Sequence, residues 1–328
     1  MQGFSNKFRD FPDYILGITK EIWEDRGIAT LHEYYAPQIV VRSPASVVVG
    51  NQSVIGATMA TLAEFPDRQL LGEDVIWSGT PEEGMLSSHR IISTATHAGD
   101  GAYGTATETK LCYRILADCH AKGNVIDDEW LIRDQGAIVR QMGWDPKDYA
   151  SNQIIREGGP KACVKPLTPE TDQSGPYKGR GNDNPWGERY AEVLKRIMDA
   201  DMAYIPQASD RAVHLEQPGH VTAHGRDAAD HFWMGLRASF PDAKFTIHHQ
   251  IGREDAGLAP RAALRWSLWG KHTGWGTFGA PTGAMVYVLG ISHAEFGALI
   301  TNEPARIRRE YTLFDETAIW KQILLQTT

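Results

Sequence analysis

The amino-acid sequence is written twice. Residues 20–107 reappear as 195–282 at a constant offset of 175: Ile22 recurs as Ile197, Gly50 as Gly225, Phe65-Pro66-Asp67 as Phe240-Pro241-Asp242, Arg90 as Arg265 and His97 as His272. Gly99, Gly101 and Gly104 recur as Gly274, Gly276 and Gly279. A period of this size lies far above the roughly 20 to 50 residues of solenoid repeats, so each copy is expected to be a whole domain with its own core. The expected boundaries are 1–150 for the first domain, 151–187 for a Pro/Gly-rich linker and 188–328 for the second domain.

Three function classes are disfavoured by composition. A net charge of −8 is wrong for sequence-independent binding to phosphate backbones, so nucleic acid is not an expected partner. No apolar stretch approaches the roughly 18 residues of a membrane span, and the start MQGFSNKFRD has no apolar signal-peptide core, so a cytoplasmic protein without a membrane partner is expected. Cys112, Cys119 and Cys163 are odd in number and scattered, which fits neither a disulfide framework nor a zinc cluster.

Each copy opens with an amphipathic helical pattern, at 13–23 and 188–198, and carries a second one before Phe-Pro-Asp, at 53–65 and 227–240. Pro66 and Pro241 disfavour helical geometry in the preceding residue and so end both helices. The segments beyond change to a strand period, giving helix, helix and then a run of antiparallel strands, an α+β arrangement without βαβ alternation. Gly99-Asp-Gly-Ala-Tyr-Gly104 leads into a strand instead of opening a helix, which argues against a dinucleotide-binding unit. The connecting stretch 158–187 carries Tyr177 and Trp186 and is expected to run along a domain surface.

The segment His272-Thr-Gly-Trp-Gly-Thr-Phe-Gly-Ala-Pro-Thr-Gly283, with Phe240-Pro241-Asp242 before it and Tyr311 to Asp315 after it, resembles the SnoaL-like polyketide cyclases of the nuclear transport factor 2-like superfamily. Copy one carries the pattern as Phe65-Pro66-Asp67, His97-Ala-Gly-Asp-Gly-Ala-Tyr-Gly and Trp130-Leu-Ile-Arg-Asp134. The resemblance implies two tandem cone-shaped α+β domains, each a curved sheet wrapped on helices around a pocket for a small apolar molecule. It implies an intramolecular aldol closure run by an aspartate on the last strand, with no cofactor and no metal. The positions matching that aspartate are Leu131 and Thr312, and neither moves a proton at neutral pH.

Other groups therefore become the candidates. Glu129 and Glu310 lie two residues before Leu131 and Thr312 and so share their strand face, as displaced carboxylates or, alternatively, as solvated or ion-paired groups. His97 and His272 end equivalent strands, as acid/base groups or as rings that hold the glycine-rich turn. Trp275, Phe278, Tyr103, Thr312 and Leu131 are the candidate pocket residues, with Asp134, Asp315, Arg90 and Arg265 as supporting groups, Arg90 pairing with Asp134 and Arg265 with Asp315. Adjacent His248 and His249 point to opposite strand faces, poor geometry for one metal. The aromatics Phe232, Trp233, Trp266, Trp269 and Trp275 suit either a ligand pocket or a core. The expected function is cofactor-free proton transfer on an apolar carbonyl compound, with copy two as the better-kept site and intramolecular pairing of the domains. The alternative is a non-catalytic small-ligand-binding protein of the same fold.

Overall fold

The structure is a computed structural model that describes residues 1–297 and 304–327. Copy one runs α1 (Phe11–Thr19), α2 (Leu31–Tyr34), β1 (Tyr35–Ser43), β2 (Ser46–Val49), α3 (Asn51–Glu64), β3 (Gln69–Thr80), β4 (Gly84–Thr96), β5 (Lys110–Lys122), β6 (Val125–Arg133), α4 (Gln135–Gln141) and α5 (Pro146–Arg156). Copy two repeats it as α6 (Pro185–Met198), α7 (Ile205–Ala208), β7 (Ser209–Gln217), β8 (Val221–His224), α8 (Arg226–Ser239), β9 (Lys244–Arg253), β10 (Arg261–Lys271), β11 (Met285–Gly297), β12 (Arg306–Phe314) and α9 (Glu316–Thr327). The two six-stranded sheets have the same order, β2-β1-β6-β5-β4-β3 and β8-β7-β12-β11-β10-β9.

The first helix of each copy forms where the pattern places it. Asp10 caps α1 by accepting from Asp13 N, and Phe11, Tyr14, Ile15 and Ile18 bury one stripe at helical spacing. Phe65 and Phe240 are the C-caps of α3 and α8, as the following prolines require. The sheets are not wholly antiparallel, however. A hairpin, β1–β2 or β7–β8, stands between the two helices, and its first strand pairs parallel with the last strand of the sheet. Pro37 and Pro44 interrupt the apolar alternation there, which hid the strand in the sequence.

The β5–β6 connection is the two-residue turn Gly123-Asn124, both with positive φ (58° and 68°), as such hairpins require. Its counterpart in copy two falls largely on 298–303, outside the described residues. Among the described residues no helix is long and apolar enough to cross a membrane.

The outer faces of the two sheets pack on each other. Leu116, Ile132, Leu289, Ile291 and Leu313 form one shared cluster with Leu167 of the connecting stretch, and Ile76, Leu86, Ile251 and Ala263 form another. The contacts are reciprocal, as at a two-fold interface. Arg90 lies 3.5 Å from the centre of the Tyr311 ring and pairs with Glu73 and Glu295, while Arg265 lies 3.5 Å from the centre of the Trp130 ring and pairs with Asp118 at 2.7 Å. The expected pairs Arg90–Asp134 and Arg265–Asp315 do not form: both arginines point out of their own domain into the other, where their charge meets an aromatic face. Asp134 instead accepts from Ala137 N at the start of α4 and from Gly219 N and His220 N of the β7–β8 turn. The connecting stretch lies against both sheets, with Tyr177 N donating to Asp128 and the Tyr177 hydroxyl 2.7 Å from His249 Nε2.

Candidate functional site

Copy one encloses a cavity of about 330 Å³ between the concave face of its sheet and α1 and α3. Strand register arranges its wall in rungs. His89, Ala117 and Leu131 face one another across β4, β5 and β6, Ile91, Ile115 and Arg133 form the next rung, and Ser93 and Tyr113 the one after. Cys119 and Glu129 form the rung on the other side of His89. Glu129 and Arg133 are four residues apart on β6, which places their Cα atoms about 13 Å from each other. Ile15, Ile18, Ala57 and Thr58 cover the rungs from the helices.

The two ends differ in charge. Glu129 is buried, and its carboxyl is pushed up to about 7 by loss of water, with the Tyr35 hydroxyl offsetting part of the rise. His89, bonded through Nδ1 to Ser87 Oγ at 3.2 Å, is lowered to about 4 by burial and is neutral beside it. At the other end, burial lowers Arg68, whose Nε lies 3.5 Å from Ser93 Oγ. Arg133 faces Tyr103 and Tyr113, and its Nε has no hydrogen-bond partner. Although burial alone would raise Tyr113, the Arg68 and Arg133 guanidiniums bring it below the ordinary tyrosine value. The β1–β2 turn, Gln135 and, from copy two, Asp315 complete the lining. Asp315 caps α9 by accepting from Thr317 N and Ala318 N, and burial pushes it up to about 7.

The corresponding volume of copy two is filled. Ile15 is replaced by Tyr190, Ala57 by Phe232, Thr58 by Trp233, Ile91 by Trp266 and Arg133 by Phe314, and these rings pack in one core. Gly290, opposite Trp266 where copy one has Ile115 opposite Ile91, leaves the space that the indole occupies; a Cβ there would collide with the ring. Glu310 sits inside this packing, accepting from the Tyr190 hydroxyl at 2.8 Å and Trp233 Nε1 at 3.3 Å, and burial pushes it up to about 6. The aromatic density of copy two is thus core packing, and the cavity lies in copy one.

The sequence-predicted residues divide accordingly. Glu129 and Leu131 line the cavity. His97 and His272 lie outside it and hold the glycine-rich turns: each Nδ1 meets a threonine hydroxyl, Thr107 at 3.0 Å and Thr282 at 3.1 Å, and each carbonyl accepts from two turn amides. Glu64 completes the copy-one turn by accepting from Ala102 N and Tyr103 N. Phe278 packs on Phe240 and Trp320, Thr312 bonds Ser292 at 2.9 Å, and Trp275 is 73% exposed, so none of these three walls the cavity. Tyr103 stacks on Tyr149 and donates to Gln135 of the cavity lining.

Sequence reasoning missed Tyr35, Arg68, His89 and Arg133. Counting in twos from Glu129 reaches Arg133, and aligning the copies shows Arg133, His89 and Arg68 where copy two has Phe314, Leu264 and Ala243. A second cavity of about 210 Å³ lies between the sheets under the connecting stretch. Two of the guanidiniums in its wall, Arg42 and Arg265, are already paired with Asp128 and Asp118.

Residues 188–323 match the family of SnoaL-like polyketide cyclases. Among solved structures, the chain is similar to a putative polyketide cyclase, IdmH, from Streptomyces antibioticus at 22% identity, over 40% of this chain and 98% of that one, with a TM-score of 0.35. It is also similar to a putative SnoaL-like polyketide cyclase from Jannaschia sp. CCS1 (15% identity, 43% and 96% covered, TM-score 0.34). A SnoaL-like polyketide cyclase from Agrobacterium tumefaciens is similar at 20% identity, with 43% and 98% covered and a TM-score of 0.33. No curated protein matches the chain.

Proposed function

From a chain built of two SnoaL-like units, we propose that copy one is an acid/base site for an apolar carbonyl compound and that copy two is its closed, structural partner. On this reading 1–150 and 188–328 are the two folding units, 151–187 straps them together, and the chain is a covalent pseudo-dimer. The observation that carries the reading is a cavity of about 330 Å³ with a buried carboxyl at one end, pushed up to about 7. A carboxylate with that proton affinity is half ionised near neutral pH and is a stronger base than an exposed one.

The Glu129 carboxylate takes a proton from the carbon beside the ligand carbonyl, and the same carboxyl returns it at the product carbon. Tyr35 faces Glu129 and positions it. Ile15, Ile18, Ile91, Ile115 and Leu131 exclude water from the reacting carbon. Leu131, standing where the family resemblance places an aspartate, is compatible with this because Glu129 faces the same cavity one step along the strand face. That same leucine favours the second reading, a non-catalytic ligand-binding protein.

Proton–deuterium exchange at the carbon between the carbonyls of 1-phenylbutane-1,3-dione, followed by NMR, separates the two readings. Exchange above the buffer rate that Glu129→Gln removes and Glu310→Gln leaves intact supports catalysis. Binding of the dione without accelerated exchange supports the binding protein.

A further inference from the structure

We propose that the ligand of copy one carries an anionic group, a carboxylate or an acidic enol, seated between Arg68 and Arg133 at the end of the cavity remote from Glu129. This rests on the reading of copy one as the ligand site and adds the polarity of what fills it. Arg68 and Arg133 both line the cavity, and neither forms a salt bridge among the described residues. Their hydrogen-bonding neighbours are hydroxyls, Ser93 and Tyr113 for Arg68 and Tyr103 for Arg133, with Tyr113 also close to Arg133; the Asp315 carboxyl of the same cavity acts on Arg133 through space but forms no salt bridge with it. Arg133 Nε is buried without a hydrogen-bond partner. The buried arginines between the two sheets each have a carboxylate instead: Arg42 with Asp128, Arg90 with Glu73, Arg261 with Asp74 and Arg265 with Asp118. Two guanidiniums left without a salt bridge inside a largely apolar cavity are costly unless an anion completes them, and the guanidinium fork matches a carboxylate in two parallel bonds.

The position of the pair gives the ligand a direction. Arg133 and Glu129 lie two rungs apart with Leu131 between them, so a ligand held by its anion at Arg133 places its apolar body along Ile91, Ile115 and Leu131 and its far end at Glu129. Copy two corroborates the assignment by contrast: it has lost both arginines, as Ala243 and Phe314, together with the cavity, while the carboxyl at Glu310 remains. A guanidinium pair kept only where there is room for a ligand is a ligand-binding feature and not a requirement of the fold.

The test compares two ligands of nearly the same shape, biphenyl-4-carboxylate and 4-acetylbiphenyl, by titration calorimetry on the full chain above about pH 7. The carboxylate should bind about tenfold or more tightly than the ketone. Arg133→Gln should remove that preference while leaving ketone affinity within about twofold, and Arg133→Lys, which keeps the charge, should retain part of it. Circular dichroism checks that the variants fold; if Arg133→Gln does not, Arg68→Gln carries the same comparison. Equal affinity for both ligands in the wild type, or a preference that survives Arg68→Gln and Arg133→Gln, overturns the anion site while leaving the cavity reading in place. Binding of neither ligand overturns both.

Discussion

Replacing Glu129 by glutamine should make the protein more stable at alkaline pH than the wild type, by an amount that the cavity sets. In the folded chain the carboxyl is raised from 4.5 to about 7, chiefly by burial. Below about pH 4.5 it is protonated in both folded and unfolded states and contributes no pH dependence. As pH rises toward 7 the unfolded chain ionises first, so wild-type stability falls, and the loss is complete above the folded value. A difference of roughly 2.5 units at about 1.36 kcal/mol each gives about 3 kcal/mol, which glutamine, having no proton to lose, avoids. The polar and titratable groups lining the cavity with Glu129 are Tyr35 from β1, His89 from β4, Cys119 from β5, Thr19 from α1 and Thr58 and Thr61 from α3, with Arg68, Arg133 and Asp315 toward the other end. His89, lowered to about 4, is neutral over the upper part of this window, and any protonation near its lower end is common to both proteins. Other buried carboxyls, Asp134, Asp315 and Glu310, titrate alike in both proteins and cancel on subtraction. Urea unfolding of both proteins from about pH 4 to about pH 8 gives the difference directly. A difference that stays flat across that range would refute the reasoning, because it would mean that Glu129 ionises as an ordinary carboxylate.

Three further outcomes follow from the same geometry. The double variant Ile91→Trp, Ile115→Gly copies the Trp266–Gly290 pair of copy two and should fill the copy-one cavity, abolishing calorimetric binding of 4-acetylbiphenyl while circular dichroism stays native. Arg265→Ala leaves Asp118 buried without its partner and removes the stack on Trp130, so it should lower unfolding stability by about 3 to 5 kcal/mol in denaturant titrations. Because the sheet faces already meet within one chain, the protein should run as a monomer of 36.4 kDa in light scattering, and copy one expressed alone should dimerise or aggregate through the exposed Trp130 face.

The architecture was legible because duplication fixes equivalence without any knowledge of contacts. Phe65 and Phe240 end equivalent helices, His97 and His272 hold equivalent turns, and the sheets share one strand order. What the repeat could not show is which copy keeps its cavity, since Glu129 and Glu310 occupy matching positions and differ only in what surrounds them. That difference lies in side-chain volume at residues distant in sequence: Ile15 against Tyr190, Thr58 against Trp233, Ile91 against Trp266. Dense aromatics read equally as pocket or core until packing decides, and here they pack on each other. The partners of Arg90 and Arg265 were hidden for a related reason. Strand parity places each on the outer face of its sheet, but only the docking of the two sheets brings Tyr311 and Trp130 to them.

The central claim is that the ligand site lies in copy one and that copy two is closed. Soaking crystals of the full chain with 4-acetyl-4′-bromobiphenyl and locating bromine by anomalous scattering tests it most directly. The account predicts bromine inside the cavity lined by Ile91, Ile115, Leu131 and Glu129. Bromine among Trp233, Trp266 and Glu310 instead, or none in copy one at saturating ligand, would contradict it.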